Sequence, residues 1–302
     1  MNSFQTLDIL LTDDSCKILS LILSHLKPHL EKFQSHPSSV CSLNWIASNV
    51  SHPQLGQFVP QLLPNLLNWL DSWMPYYKIW GCRLAGHIIS TCPSSELVWF
   101  GRAALLSDAL KRLLGHSDAA VVDACHVALL DVTKILHDST KPDKPGEADI
   151  LLKNLITSLE LSSDNTKNEI YTGMIVQTSY LLGAGVARWI ARLSELATSQ
   201  LEYTSSDTVI PWLTQLCSVC PTCMSREVAT LLPALIKHAY RISWLDKVSE
   251  EENSKKLTSC LVNIAACNPP KAKLLCHNLE NVKVNMKFDK IVQQFLTELA
   301  MM

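Results

Sequence analysis

Apolar residues recur every three or four positions along most of the chain, and this period restricts the fold more than any other feature. One stripe comprises Leu62, Leu63, Leu66, Leu67, Leu70 and Trp73, and another comprises Val122, Cys125, Leu129, Val132 and Leu136. Such spacing places each set on one face of an α-helix. Glycine is scarce, at nine of 302 residues, and no run of alternating β-branched residues ends in a hairpin turn. The sequence therefore predicts an all-α fold.

Short breaks separate the helical stretches, and some of these breaks recur. The segment LLPNLL begins at Leu62, and LLPALI begins 169 positions later at Leu231. The Cys-Pro pairs that begin at Cys92 and Cys220 are 128 positions apart. Both offsets are close to multiples of about 42 residues, which is a typical length for helical-hairpin repeats. Because short connections join antiparallel neighbours, we predict an α-solenoid of HEAT- or armadillo-like helical hairpins.

We interpret the chain, 1–302, as a single α-helical repeat domain. Residues 1–39 are expected to contain an N-terminal helix, residues 40–137 a first set of repeats and residues 148–302 further helical hairpins. Residues 138–147, DSTKPDKPGE, have the charged and proline-rich composition of a long exposed loop.

Two glycines interrupt the apolar pattern of residues 76–89, which read YYKIWGCRLAGHII. A glycine inside a helix costs about 1 kcal/mol relative to alanine, and close packing against a neighbour would compensate for that cost. Gly81 lies on the stripe that should face the first helix of the same hairpin. Gly86 lies on the opposite half, where an adjacent helix could approach. We therefore predict that this segment is the inner helix of a repeat.

Charge and hydrophobicity disfavour several classes of function. A formal net charge of -2 provides no basic field for phosphates, so we do not expect a nucleic-acid partner. The uncharged windows 171–187 and 208–225 are diluted with Gly, Ser, Thr and Gln, and we interpret them as buried helices and not as membrane spans. The N-terminus has acids where an export signal would have Lys or Arg. We expect a cytoplasmic protein, with the nucleus as a second location.

The cysteines contain one motif that could carry chemistry. Cys217, Cys220 and Cys223 form a C-x2-C-x2-C run that begins like an iron-sulfur ligand set but lacks the fourth cysteine. No second C-x-x-C supplies the spacing of a zinc site. We interpret Cys217 and Cys220 as part of a buried stripe on a helix that Pro221 ends, and we expect Ser225 to cap the next helix. A cysteine-based metal or redox protein is the less favoured alternative.

We predict that the protein is not an enzyme and has no catalytic, cofactor-binding or metal-binding residues. The glycines of Gly183-Ala-Gly185 are not followed by a third glycine, because Arg188 occupies that place, and no strand precedes them. We interpret this segment as a tight turn between two helices. The sequence has no P-loop, no G-x-S-x-G and no H-E-x-x-H.

The tryptophans and nearby arginines point to a protein-binding surface. The first third of the chain contains Trp45, Trp69, Trp73, Trp80 and Trp99. The narrow core of a solenoid cannot bury all of them, and Trp and Arg are enriched at interface hot spots. Arg83 lies on the side of its helix away from the main stripe, and Trp99 with Arg102 lies near a repeat junction. We predict that Arg83, Trp99 and Arg102 contact a protein partner.

Several motifs in residues 40–137 resemble those of a known family. They are HPQLG, which begins at His52, Lys78 and Gly81 at the start of the glycine-containing helix, and ELVWFG, which begins at Glu96. In this segment the chain resembles the Tel-two-interacting protein family, and specifically its second interacting protein.

That resemblance implies a non-enzymatic α-solenoid scaffold that joins other helical-repeat subunits in the Triple T complex. It further implies a role as a co-chaperone. In that role the complex works with the heat-shock chaperone machinery to mature and stabilise phosphatidylinositol-3-kinase-related kinases, which include kinases of the DNA damage response.

An armadillo-like transport or trafficking adaptor is the alternative function. It would need a continuous inner groove that is either acidic or lined by Asn-Trp pairs, such as Asn44-Trp45 and Asn68-Trp69. Burial of these tryptophans would remove the basis for this alternative.

Overall fold

The protein is all-α, and the prediction of HEAT- or armadillo-like helical hairpins is confirmed. The computed structural model describes residues 17–137, 144–203, 209–244, 250–277, 279 and 282–302. Within these ranges the chain forms helices and turns and no strand. The first part of the predicted N-terminal region, 1–16, lies outside the described residues, as do positions 138–143 of the predicted loop.

The chain divides into two compact units, and the boundary falls after Met174. The predicted single domain over 1–302 stays a prediction. The helices of the first unit are α1 (Lys17–Glu31), α2 (Pro37–Ser48), α3 (Gln54–Asp71), α4 (Pro75–Thr91), α5 (Ser94–Trp99), α6 (Arg102–Lys111), α7 (Ala119–Leu136) and α8 (Glu147–Leu161). A 3-10 helix over Arg112–Gly115 extends α6. Helix α9 (Asn165–Leu182) contains the boundary.

The second unit continues the all-α pattern. A 3-10 helix over Gly183–Trp189 leads into α10 (Ile190–Tyr203), α11 (Val209–Val219), α12 (Pro221–Ile242), α13 (Glu250–Cys267), α14 (Pro269–Cys276) and α15 (Met286–Met301). No helix in the described part of the chain combines the length and apolar character needed to cross a membrane.

Helices of the first unit pack as pairs. Helix α1 packs on α2, α3 on α4, and α6 on α7. The second helices of these pairs, α2, α4 and α7, also lie side by side. Helix α4 therefore has a neighbour on three sides, which explains why its sequence is apolar on more than one face. This arrangement is the one expected for the inner helix of a repeat.

The second unit repeats this plan with two rows of helices. Helices α10, α12 and α14 form a row of first helices, and α11, α13 and α15 form a row of second helices. Each second helix also packs on its own first helix. A stack of this kind buries a continuous core because every pair covers the apolar face of the next one.

Recurrent sequence breaks occupy equivalent places in the helix pairs. Pro64 lies inside α3 and Pro233 lies inside α12, and both helices are the first of their pairs. The Cys-Pro breaks follow second helices, since Cys92 caps the end of α4 and Cys220 lies between α11 and α12. The repetition in the sequence therefore reflects repetition in the structure.

Three hydrogen bonds between neighbouring pairs span close to the predicted period of about 42 residues. The Tyr77 hydroxyl donates to the Phe33 carbonyl, 44 residues away, and Asn285 Nδ2 donates to Ser243 Oγ, 42 residues away. Asn268 Nδ2 donates to the Ser225 carbonyl, 43 residues away. Each bond joins one helix pair to the next.

Both glycines of α4 lie where the sequence analysis placed them. A Cβ atom at Gly81 would lie 2.8 Å from Leu70 Cδ2 and 3.4 Å from the Leu70 backbone nitrogen, so α3 approaches α4 closely at this point. A Cβ atom at Gly86 would lie 3.7 Å from Ala128 Cβ of α7, which is an ordinary van der Waals distance. Gly81 thus faces the hairpin partner and Gly86 faces the adjacent repeat.

Three local expectations need correction. Trp73 does not extend the buried stripe of α3, because the helix ends at Asp71 and the indole is 74% exposed in the following turn. Ser225 does not cap α12, because Pro221 already occupies the first turn of that helix and Cys220 is its N-cap. The glycines at 183 and 185 lie in a seven-residue 3-10 helix, in which Gly183 has a φ of 52°, and not in a tight turn.

Candidate protein-binding surface

Helix α5 is a six-residue helix that packs on α6 and α7. The backbone N–H groups of Glu96 and Leu97 donate to the Pro93 carbonyl, which sets its first turn. Leu97 is fully buried and anchors the helix in the core. Gly101 ends the segment with a φ of 68°, a left-handed conformation that favours glycine. Together these features fix the start, the buried side and the end of the short helix.

The residues after Leu97 form an exposed apolar surface. Val98 is exposed, Trp99 is 84% exposed and Phe100 is 64% exposed. The Arg102 guanidinium carbon lies 4.6 Å from the centroid of the Phe100 ring, within the distance of a cation-π contact. We call Val98, Trp99, Phe100 and Arg102 the α5 surface. It combines large apolar groups with a planar cation, which is the composition of an interface hot spot.

Two motifs that are far apart in the sequence support this surface. His52 Nε2 lies 3.4 Å from Glu96 Oε1, across 44 residues. A Cβ atom at Gly56 would lie 3.4 Å from Glu96 Oε2. The HPQLG segment at the start of α3 therefore packs directly against the ELVWFG segment of α5, and the two motifs form one structural feature.

The predicted protein-binding residues lie in two places. Trp99 and Arg102 lie together in the α5 surface. Arg83 lies on the exposed side of α4, where its guanidinium carbon is 4.9 Å from the centroid of the Trp80 ring. It precedes the end of α4 by two turns, or about 12 Å along the helix axis. Arg83 therefore belongs to the exposed face of α4 and not to the α5 surface.

Sequence reasoning missed Val98 and Phe100. The sequence feature that could have indicated their exposure is the run of three large apolar residues, Val98, Trp99 and Phe100, before a glycine. A short helix has only one buried face, so such a run must expose some of its members. The structure shows that Leu97 takes the buried position and that all three following residues are exposed.

The other tryptophans divide between core and surface. Trp69 is fully buried in α3, whereas Trp45 is exposed on α2. Because its indole is inside the core, Trp69 cannot line a groove with Trp45. The Asn-Trp pattern therefore gives no support to a transport or trafficking adaptor.

The cysteines of the C-x2-C-x2-C run lie in surroundings that are typical of structural residues and not of metal ligands. Cys217 and Cys220 are buried, and Cys223 lies on α12. A hydrogen bond to Cys267, together with burial, raises the pKa of the Cys217 thiol, and burial raises the pKa of Cys220. Thiols with raised pKa values are poor nucleophiles and poor metal ligands. Among the residues that the structure describes, no group of three or more His, Cys, Asp or Glu could hold a metal ion.

Comparison with known proteins connects the first repeats to a family. The Tti2 family model matches residues 15–117, a range that contains both motifs of the α5 surface. TELO2-interacting protein 2 of Mus musculus is 26% identical over 84% of this chain and 53% of its own length. TELO2-interacting protein 2 of Homo sapiens is 26% identical over 61% of this chain and 38% of its own length. The chain thus spans about half the length, or less, of these curated relatives.

A solved structure supports the fold alone. The crystal structure of an engineered protein has a TM-score of 0.52 and 16% sequence identity, and the alignment covers 97% of this chain and 77% of that chain. The family match is more specific than this structural likeness, because it covers the segment in which the HPQLG and ELVWFG motifs pack together. The predicted resemblance to the Tel-two-interacting protein family is confirmed, and residues 15–117 of this chain carry the Tti2 family match.

Proposed function

We propose that this chain is a non-enzymatic scaffold subunit that binds a TELO2-type protein through its first repeats. The observation that carries the proposal is the α5 surface, which is exposed and lies within the matched residues 15–117. The curated relatives are named as proteins that interact with TELO2. Leu97 anchors the helix that carries this surface in the core, and a backbone that is ordered before binding reduces the entropy lost in the contact.

The energetics of the α5 surface favour a partner. Full burial of a large apolar side chain is worth roughly 1.5–3 kcal/mol, and Trp99 and Phe100 together offer two such side chains. Arg102 already lies over the Phe100 ring, so its guanidinium needs little reorganisation to bond a carboxylate or carbonyl of a partner. Arg83, stacked on Trp80, provides a second contact point on α4.

We further propose that the chain acts within a larger complex. The chain would join other helical-repeat subunits in a Triple T-type complex and, through them, phosphatidylinositol-3-kinase-related kinases and the heat-shock chaperone machinery. It would support the maturation of these kinases as a co-chaperone, in the cytoplasm and the nucleus. This role requires neither a cofactor nor a contact with nucleic acid or membrane.

Co-purification is the direct test of the proposal. A tagged chain is expressed in its own cells at the natural level, recovered at physiological salt, and its partners are identified by mass spectrometry. We expect a TELO2-type protein and at least one kinase of the class to be recovered. Recovery of the chain as a lone monomer, with neither partner, would refute the proposed function.

A matched pair of variants tests the α5 surface itself. The double substitution Trp99→Ser and Phe100→Ser should lower recovery of the TELO2-type protein at least ten-fold, with an unchanged circular dichroism spectrum. Trp73→Ser is the control, because Trp73 is similarly exposed but lies in the turn between α3 and α4. Equal recovery with both variants would place the interface elsewhere on the chain.

A further inference from the structure

An apolar pocket lies in the second unit between α12, α14 and the start of α15. Its volume is about 450 Å³, and its lining includes Ile236, Lys237, Tyr240, Leu275, Val282 and Phe288. We call it the α12 pocket. A cavity of about 150 Å³ binds one benzene molecule, so the α12 pocket has room for about three apolar groups of that size. The pocket lies outside the matched residues 15–117.

Aromatic side chains form one wall of the pocket and continue onto the surface. The Tyr240 ring packs edge-on against Phe288, with 6.0 Å between ring centroids, and against Trp244, with 6.2 Å. Phe288 is buried, Tyr240 is exposed, and Trp244 is 61% exposed. Leu275 on α14 also belongs to the lining and is exposed. Contiguous apolar surface of this kind is typical of interaction sites.

One lysine lines the pocket and a second lies next to it in the sequence. Lys237 belongs to the lining, and Lys283 is exposed between the lining residues Val282 and Val284. Arg241 lies one turn beyond Lys237 and donates to the carbonyls of Leu201 and Glu202.

Two carboxylates lie near these cations. Glu202 Oε1 lies 2.6 Å from Lys237 Nζ, and Asp289 accepts a hydrogen bond from the backbone N–H of Val284. The Lys237 side chain is 72% exposed, and an exposed ion pair contributes only about 0–1 kcal/mol. A carboxylate of a partner can therefore compete with Glu202 for this amine.

We propose that the α12 pocket binds a peptide segment of a protein partner that carries two or three large apolar side chains and a net negative charge. The apolar side chains fill the pocket against Tyr240 and Leu275, and a carboxylate binds Lys237 at its rim. Apolar anchors provide most of the affinity in such complexes, whereas charge complementarity provides specificity and a faster association rate. The proposal is independent of the α5 surface, because it concerns a different unit of the chain.

Selection from a library of random 12-residue peptides displayed on phage tests this proposal. The folded chain is the bait, and enriched peptides are synthesised and titrated by fluorescence anisotropy. We expect them to carry at least two of Leu, Ile, Phe or Trp and more acidic than basic residues. Leu275→Asp and Lys237→Glu should each weaken their binding at least ten-fold. Both side chains are exposed, so circular dichroism should show that the variants remain folded.

Lys153→Glu on α8 is the matched control, because it makes the same charge change at an exposed position in the first unit. Its affinity for the peptides should equal that of the unchanged chain. The proposal is overturned if no enriched peptide distinguishes the unchanged chain from Leu275→Asp, or if the enriched peptides are predominantly basic. Binding to phosphatidylserine vesicles that requires Lys237, without peptide enrichment, would assign the pocket to a membrane surface and also overturn it.

Discussion

At the residue scale, Leu70 near the end of α3 is contacted by two residues of α4. Lys78 Nζ donates to the Leu70 carbonyl at 2.7 Å, which satisfies one of the carbonyl groups that a helix leaves free at its C-terminal end. Gly81, one turn further along α4, lies directly over the Leu70 side chain. The sequence analysis singled out Lys78 and Gly81 as family-like residues, and their shared contact gives a physical reason for both.

Substitution of Gly81 should destabilise the first unit, whereas substitution of Gly86 should not. A leucine at Gly81 would drive its Cβ to 2.8 Å from Leu70 Cδ2, in a site where both residues are buried. Overpacking of this kind typically costs about 1–3 kcal/mol, which exceeds the gain of about 1 kcal/mol from replacing a helical glycine. We expect Gly81→Leu to lower the free energy of unfolding by about 1 kcal/mol, measured by urea denaturation.

Gly86→Ala is the matched control for that measurement. Its Cβ would meet Ala128 Cβ at an ordinary 3.7 Å, so the gain in helix propensity should dominate and raise the free energy of unfolding by about 0.5–1 kcal/mol. Equal effects of the two substitutions would contradict the close approach of α3 to α4.

At the element scale, α5 depends on a single buried side chain. Leu97 is fully buried, whereas Trp99, two positions later, is almost wholly exposed. Replacing a buried leucine with alanine costs about 2–5 kcal/mol, and a substitution at an exposed site usually changes stability by less than about 0.5 kcal/mol. We therefore expect Leu97→Ala to lower the free energy of unfolding by at least about 2 kcal/mol in a urea titration, and Trp99→Ala to leave it nearly unchanged. A large loss with Trp99→Ala would show that the indole is part of the core.

Helical periodicity was sufficient to predict the long helices and which of their faces are buried. The stripe through Val122, Cys125 and Leu129 is fully buried in α7, and Gly81 and Gly86 face the neighbours expected from helical geometry. Periodicity works here because each long helix must bury one face against the next repeat.

The α5 surface could be predicted only in part, for a different physical reason. A six-residue helix is too short for a period to appear, and its direction is set by the left-handed Gly101 and by the contact of Glu96 with His52. That contact joins residues 44 positions apart, so no local pattern reveals it. Trp99 and Arg102 could be chosen from their residue types, but the exposure of Phe100 follows from the tertiary structure alone. The α12 pocket likewise forms from α12, α14 and α15 together.

At the scale of the whole molecule, the contacts are local along the chain. Each helix pair packs on its neighbouring pairs within the same unit, and the hydrogen bonds between pairs join residues about one repeat apart. In repeat proteins of this kind, stability is close to a sum of repeat terms and nearest-neighbour terms. Damage to one repeat should therefore spread to its neighbours and weaken with distance along the chain.

Hydrogen exchange measured by mass spectrometry can test this locality with two reciprocal variants. Gly81→Leu should speed amide exchange in α2, α3, α4 and α7, which pack on or next to the altered contact, and leave α11, α13 and α15 protected. Leu235→Ala removes a fully buried side chain of α12 and should speed exchange in α10, α12 and α13 while α3 and α4 stay protected. Amides that open only through local unfolding report the stability of their own region. Uniformly faster exchange across both units, in either variant, would show that the chain unfolds as one cooperative body and would contradict the division after Met174.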